Sequence, residues 1–364
     1  AAPAFTRKVD VLVAGGGIAG LSAARALRLA GVDNYVVLEL EDQAGGNSRG
    51  GNVGGIACPL GAHYLPVPGD HAEEVRDFLA EIGVARRVAG RWTYEERHLC
   101  HSPQERLFFN GQWQEGLLPV QGVGPRTIAQ YKRFAQLVDG ASQGAPFQLP
   151  LRGPVPASHR ALDRVTFAQW LGANGLDDVY LRWYLDYCCR DDYGAGLATV
   201  SAWAGIHYFA SRHGFTPPGE KGEVDQLLTW PEGNAWLVQR LADPLGDRLQ
   251  PARVITRVEA ARHVVEVDCF NFVTQQVERW QAAQCILALP LFVAARVLNA
   301  PPRALSEVAL RQPHAPWVVA NIHIDQPLHD RPGPAPAWDN VLYGARGLGY
   351  VDAGHQKLDP LPDP

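Results

Sequence analysis

The sequence predicts an α/β fold in two parts: a parallel βαβ core that opens the chain and resumes later, and an inserted helical, aromatic-rich domain, with a small β meander on the return. Three observations predict it. The opening "VDVLVAGGGIAGLSAARALRLAG" reads as strand, glycine turn and Ala/Leu-rich helix, and "YVVLE" follows directly as a second strand. From about residue 70 to 222 the pattern changes to helical pieces rich in aromatics. After that, β-type alternation returns in "ARVITRVEA", "HVVEVDCF", "QQVERW" and "AQCILALP".

The first strand, "KVDVLVAG", is short, apolar and β-branched, and it ends in glycine. The helix, from about Ile18 to Ala30, stops at Gly31, a residue suited to the left-handed position after a helix. These joins are too short for anything but a tight parallel unit. Four segments are expected: residues 1–70 as the first part of the core; 71–225 as a helical substrate or cap domain broken by "GAPFQLPLRGPVP" and "GFTPPGEKGE"; 226–300 as the second part of the core with its meander; and 301–364 as a substrate-domain strand, "PWVVANIHID", with loops.

Composition narrows the function. Apolar residues are 46% and charged residues 20%, ordinary globular values that argue against disorder or a coiled coil. A net charge of -5, with no Lys/Arg cluster interleaved with aromatics, excludes a nucleic-acid surface. The longest apolar stretch, "CILALPLFVAA", contains Pro290 and is far shorter than the roughly 20 residues that span a bilayer. A soluble chain without a transmembrane segment is expected, either cytoplasmic or exported. The opening "AAPAFTRKVD", without an initiator Met, fits a trimmed chain or the mature end of an exported precursor. Six cysteines without CxxC spacing are expected to be buried free thiols. Methionine is absent, which is improbable at this length and is the mark expected of a string from which methionines have dropped, with its spacings compressed.

The chemistry starts at "GGGIAG", where Gly15, Gly17 and Gly20 fit G-x-G-x-x-G. Such a turn needs glycine for three separate reasons: the tight bend, backbone approach to a diphosphate, and close packing of helix on strand. The phosphates sit on the helix N-terminus, here Ile18 and Ala19. The context is complete, because Glu39 ends the next strand nineteen residues beyond Gly20, placed to accept hydrogen bonds from a ribose diol. This predicts a Rossmann-like domain for FAD or NAD(P), and the acidic residue disfavours a 2′-phosphate. A second pair, Gly45-Gly46, follows where an NAD-binding chain would continue into another helix.

Glu39, a short spacer and Gly45-Gly46 resemble the flavin-containing amine oxidase and phytoene desaturase superfamily, in which the second glycine pair gives the FAD diphosphate another backbone contact. "PLGAHYLP" resembles the family segment that passes beside the flavin ring, here Gly61 and Ala62 with His63 and Tyr64 next. "TWPEGNAWLVQRLADPL" is similar to its Pro-x-Gly-Gly helix opening, with Asn234 in place of the second glycine. The resemblance also implies that the Val254 backbone holds the adenine, and that the strand ending in Ala-x-Pro, in "QAAQCILALP", leads back to the cofactor domain. The chain departs from the pattern after Gly46, where Asn47 and Ser48 precede Arg49, so the diphosphate contact comes from Arg49 or from backbone alone. The family's C-terminal Gly-rich FAD segment has no counterpart before "DPLPDP".

Other motifs compete for attention. "GNSRG" fits the G-x-S-x-G nucleophile elbow, but it lacks the strand before and the helix after that lift such a serine. "HLCHS" groups His98, Cys100 and His101, short of the about four ligands of a structural metal site; no metal is expected. Cys188 and Cys189 are expected to be packed thiols. Helical spacing puts Tyr180, Trp183 or Tyr184, and Tyr187 on one face, either as a core stripe or as the wall of a substrate cavity, and Trp203, His207 and Tyr208 pose the same choice.

The resemblance implies an FAD-dependent oxidoreductase taking a hydride equivalent from a small or hydrophobic organic molecule onto flavin N5, with His63 and Tyr64 as candidates beside the ring. A desaturase or isomerase of a polyene-like substrate, and a flavin-binding module without turnover, remain alternatives. Amine oxidases of the family carry a lysine that reaches flavin N5 through a water, commonly on the long strand after Ala-x-Pro. "PWVVANIHID" has none, and the chain's four lysines are Lys8, Lys132, Lys221 and Lys357.

Overall fold

The computed structural model describes residues 3–100, 104–151, 153–212, 214–220, 226–326, 328–329 and 331–353. His101, Lys221 and Lys357 lie outside the described residues. Two compact units emerge among the described residues, one within Ala1–Tyr64, Trp230–His314 and Val319–His323, the other within Leu65–Thr229, Ala315–Val318 and Ile324–Pro364.

The first unit is built on a six-stranded sheet in the order Leu249–Gln250, Tyr35–Leu38, Phe5–Ala14, Gln276–Leu287, Val265–Asn271, Arg253–Ala260. Neighbours among the first four are parallel, and the last three form an antiparallel meander. All four residues of Tyr35–Leu38 are buried, as a parallel strand covered on both faces requires. Phe5–Ala14 is buried only in its second half, Val11–Ala14, which runs into the glycine turn. The helix Ile18–Leu29 follows, and Gly31 takes the left-handed conformation, φ +74°, beyond its end. Leu12, Ala14, Val36, Leu38, Val267, Trp280 and Ala282 form the core of this sheet.

Two features differ from the sequence reading. "QQVERW" and "AQCIL" are one continuous strand, Gln276–Leu287, because its first half pairs antiparallel with Val265–Asn271 while its length also runs parallel to Phe5–Ala14. Residues 301–314 lie in the first unit, where the helix Arg303–Arg311 follows and packs on the helix Leu291–Val297. "PWVVANIHID" joins no ladder among the described residues: Val318 is 91% and Ile322 78% exposed, and Asn321 Nδ2 instead donates to the Pro59 carbonyl at 2.8 Å. β-branched composition supplies strand propensity, but a strand also needs a partner row of backbone groups.

In the second unit the helices Pro125–Gly144, Phe167–Ala173, Val179–Tyr193 and Ala202–Ala210 enclose Tyr131, Phe134, Phe167, Leu171, Leu181, Leu185, Ile206 and Phe209. Asp178 caps Val179–Tyr193 by accepting from the Tyr180 and Leu181 N–H groups, and Gly194 ends it at φ +63°. Tyr180, Trp183, Tyr184 and Tyr187 all belong to or pack against this core, as do Trp203 and Tyr208. Cys188 and Cys189 are buried free thiols; burial pushes Cys189 up to about 12 and Cys188 well above the usual thiol range, so neither ionises near neutral pH. A four-stranded sheet, ordered Tyr350–Val351, Asp339–Leu342, Glu105–Phe109, Gln112–Glu115, completes the unit.

That sheet sets like charges side by side. Asp339 lies opposite Glu105 in the parallel register, with its N–H bonded to the Gln104 carbonyl, and Tyr187 Oη is 3.4 Å from Asp339 Oδ2. Burial, with Glu105 and Asp191 adding to it, pushes the Asp339 carboxyl up to about 8. Burial and Asp192 push Asp191 up to about 6, against Arg212 and Arg190. A carboxyl whose folded value lies above its unfolded value of about 3.9 stabilises the fold only while protonated, so this contribution is lost as pH rises from about 4 to 8. Asp339→Asn should therefore raise the melting temperature at pH 8, by about 3 °C or more for a unit of this size, and change it little at pH 5. Circular dichroism melts of both proteins at the two pH values check this; an equal effect at both would refute it.

Candidate functional site

Glu39 organises the mouth of the first βα turn. Its carboxylate is buried and accepts from the Gly16 N–H through Oε2 at 2.7 Å and from the Glu41 N–H through Oε1 at 2.9 Å. Its own N–H donates to the Gln250 carbonyl, and its carbonyl accepts from the Arg253 N–H. The acidic side chain is thereby fixed at the rim of the turn, with Val254 one residue beyond that last contact, at the start of the meander.

The two glycine sites meet. Gly45 N–H donates to the Gly16 carbonyl at 2.9 Å, Gly17 and Gly45 form a parallel bridge, and a Cβ on Gly46 would come within 3.4 Å of the Gly17 Cα. Gly45 and Gly46 have φ of +132° and +56°, values an L side chain rarely adopts. Gly20 closes the helix onto the turn: a Cβ there would strike the Gly15 carbonyl oxygen. Ile18 and Ala19 open the helix, whose first N–H groups have no partner within it, and no acidic side chain occupies that first turn.

After Gly45 the chain makes a short 3-10 turn, Gly46–Ser48, with Ser48 buried. This confirms that no strand-to-helix elbow lifts the serine. Arg49 leaves the turn and its Nη1 pairs with Glu41 Oε2 at 3.2 Å, both partly exposed. Asn47 is held from the other side: its carbonyl accepts from the Ala62 N–H at 2.8 Å, and a Cβ on Gly61 would meet that same oxygen. Gly61 and Ala62 are thus fastened to the second glycine pair, with His63 and Tyr64 following in an edge-to-face ring pair 5.1 Å apart. Burial holds the His63 imidazole below its usual range, opposed by a hydrogen bond with the Gly61 backbone, so the ring is neutral at pH 7.

Backbone donors at a helix N-terminus, a left-handed glycine pair against them, and a fixed carboxylate one strand away suit a dinucleotide: diphosphate on the glycines, ribose diol at Glu39. Sequence reasoning found most of this constellation. It missed Gly16, whose N–H holds the carboxylate, and Ala288, whose carbonyl lies 2.7 Å from where a Gly15 Cβ would stand. Elsewhere, Cys100 is buried with its thiol pushed up to about 12, and among the described residues no group of three or more His, Cys, Asp or Glu side chains is placed to hold a metal. No helix among them is long and apolar enough to cross a membrane.

Glu39→Ala removes the acceptor of the Gly16 and Glu41 N–H groups. The dissociation constant for FAD should rise at least about tenfold, the equivalent of one such hydrogen bond. Titration monitored by flavin fluorescence measures it, and unchanged affinity would refute the role given to Glu39.

The flavin-containing amine oxidoreductase family model matches residues 18–346. Human flavin-containing amine oxidase B is 25% identical over 318 residues, 82% of this chain and 53% of its own length. A putative flavin-containing monoamine oxidase of Mycobacterium tuberculosis is 26% identical over 286 residues, 78% of this chain and 57% of its own. The chain spans about half the length of these relatives. Among solved structures, a putrescine oxidase bound to putrescine shares the fold with a TM-score of 0.64 at 22% identity, covering 84% of this chain and 64% of that one. Cyclohexylamine oxidase from Brevibacterium oxydans IH-35A gives 0.59 at 20%, covering 84% and 63%. With the glycine cradle, Glu39 and a family match over most of its residues, this chain belongs to the flavin-containing amine oxidoreductase family.

Proposed function

We propose that the protein is an FAD-dependent oxidoreductase that removes a hydride equivalent from a small or hydrophobic organic substrate. The observation that carries the reading is the closed pair of glycine turns with Glu39 at one end and Gly61–Tyr64 fastened to the other. FAD, the cofactor of this family, would supply the redox chemistry by accepting the hydride equivalent at flavin N5. The chain's own residues bind and orient. N–H groups of the turn at Gly15–Gly20, with Ile18 and Ala19 opening the helix, and of Gly45, Gly46, Asn47 and Ser48 would hold the diphosphate. Glu39 would take the ribose diol, and the Val254 backbone the adenine.

Arg49 is a secondary diphosphate contact in this reading, since it must be shared with Glu41. Gly61 and Ala62 would leave room beside the ring, as small residues pinned by the Asn47 carbonyl. His63 is neutral and so available to donate or accept a hydrogen bond there, whereas Tyr64 offers a phenolic edge.

The names of the relatives make amines the first substrates to test. The lysine that the resemblance implies on the long strand after Ala-x-Pro, a residue that would hold and polarise a water at flavin N5, has no counterpart in Pro316–Asp325 or in the thirty residues on either side. Anaerobic flavin bleaching with benzylamine, putrescine and a set of apolar alkenes and polyenes separates the cases. Slow or no bleaching by the amines together with bleaching by an apolar compound is the expected result. Fast bleaching by simple primary amines, at rates typical of turnover, would overturn this view of the substrate.

A further inference from the structure

The residues of the cradle are joined by one continuous run of contacts, and that run does not stop at the glycines. It begins at Glu39, passes through Gly16 to Gly45 and Gly46, and reaches Asn47, whose carbonyl holds the Ala62 N–H. The Ala62 carbonyl in turn accepts from the Asn234 N–H at 3.1 Å, and Asn234 Nδ2 donates to the Tyr64 carbonyl at 2.9 Å. Gly233 packs on the same stretch, since a Cβ there would come within 3.1 Å of the Ala62 carbonyl oxygen, and the helix opening at Ala235 abuts Gly50. The turn Trp230–Asn234 is therefore wired to the end of the cradle opposite Glu39.

Two acceptors in this turn have no donor among the described residues. Asn234 Oδ1 and Glu232 Oε2 are both buried and accept no hydrogen bond from any of them. The Nδ2 bond to a carbonyl fixes the amide orientation, so the orphaned atom is the oxygen. Nor does Asn234 act as an ordinary helix cap: it precedes Ala235–Ala242 in a helical conformation, φ −68° and ψ −5°, and its side chain bonds none of the helix N–H groups. Buried acceptors left without donors are rare and costly, and they call for an explanation.

We propose that the turn Trp230–Asn234 is a flavin-binding element, in which Asn234 Oδ1, with Glu232 Oε2 as a second acceptor in the same turn, accepts hydrogen bonds from the ribityl hydroxyls of FAD. The proposal rests on the FAD reading of the cradle. Its chemistry follows from order: with the adenosine ribose at Glu39 and the diphosphate on the glycines, the next part of the molecule is the ribityl chain, whose hydroxyls are O–H donors. The amide would thus join cofactor and protein, Nδ2 gripping Tyr64 and Oδ1 gripping the polyol.

The test pairs protein variants with cofactor analogues, all in the full-length protein. FAD and three analogues lacking the 2′-, 3′- or 4′-hydroxyl of the ribityl chain are titrated into wild type, Asn234→Ala, Asn234→Asp and Glu232→Gln. Asn234→Ala should raise the dissociation constant for FAD at least about tenfold, the worth of one hydrogen bond to a buried acceptor. For one deoxy analogue that difference should collapse to within about twofold, the signature of direct contact in a double-mutant cycle. Asn234→Asp, which keeps an acceptor and loses the grip on Tyr64, should retain the discrimination against that analogue. A loss of affinity equal for FAD and every analogue would mean that Asn234 only clamps Tyr64, and would overturn the proposal, as would unchanged FAD affinity. If Asn234→Ala does not fold, wild type alone decides: equal affinity for FAD and all three analogues overturns the proposal. Wild type that binds no FAD, with Glu39→Ala indistinguishable from it, would remove the cofactor reading itself.

Discussion

One short contact governs the nucleotide site: the Gly45 N–H bonded to the Gly16 carbonyl, with Gly17 bridged to Gly45 beside it. It brings two turns about thirty residues apart in sequence into backbone register, so that donors from both can face one anion. Glycine is required at Gly45 and Gly46 for a conformational reason, since their φ of +132° and +56° are values an L side chain rarely adopts, whereas a Cβ on Gly17 would stand 3.9 Å from the Gly46 Cα, an ordinary contact. Glu39 depends on the same geometry, since its carboxylate is held by the N–H of Gly16, the residue whose carbonyl closes the pair. The carboxylate is thus held in place by the protein's own backbone, and a preorganised acceptor loses less on binding than a mobile one.

The second unit is stabilised on different terms. Its core is a packed set of rings, with Phe134 in edge-on contact with Phe209 at 5.3 Å and with Phe215 at 4.9 Å between centroids. Such pairs add to burial through the ring quadrupoles. Against this stands the carboxyl group of Asp339, enclosed with Glu105, Asp191 and the Tyr187 hydroxyl. Burial and like charge both favour its neutral form, which can donate a hydrogen bond where an ionised one could not. The first unit shows the opposite balance at its meander, where Arg279 bonds Asp268 through two nitrogens and holds that carboxyl below the usual range.

How much of this was legible depended on range. The opening βαβ unit was readable because each signal is local: β-branched strand, glycine turn, Ala/Leu helix, terminal Gly31. Glu39 was singled out by its spacing from the same turn and Gly45-Gly46 by the family resemblance, and the structure brings both against that turn. Contacts between distant segments were not. The pairing of Asp339 with Glu105 joins residues 234 apart, and nothing in either segment's pattern announces it. The fusion of "QQVERW" with "AQCIL" was hidden because one strand serves two neighbours of opposite direction. "PWVVANIHID" failed as a strand for the converse reason, having the propensity but no partner row among the described residues. Asn234 was visible as a departure from a glycine pattern, yet its orphaned oxygen is a fact of packing alone.

Amide hydrogen exchange of the protein with and without FAD tests the central claim most directly, because the site is made of backbone N–H groups. The account predicts that FAD slows exchange at residues 15–20 and at 45–49 together, since one diphosphate takes donors from both turns. Protection confined to one turn, or absent from both while FAD remains bound, would contradict it.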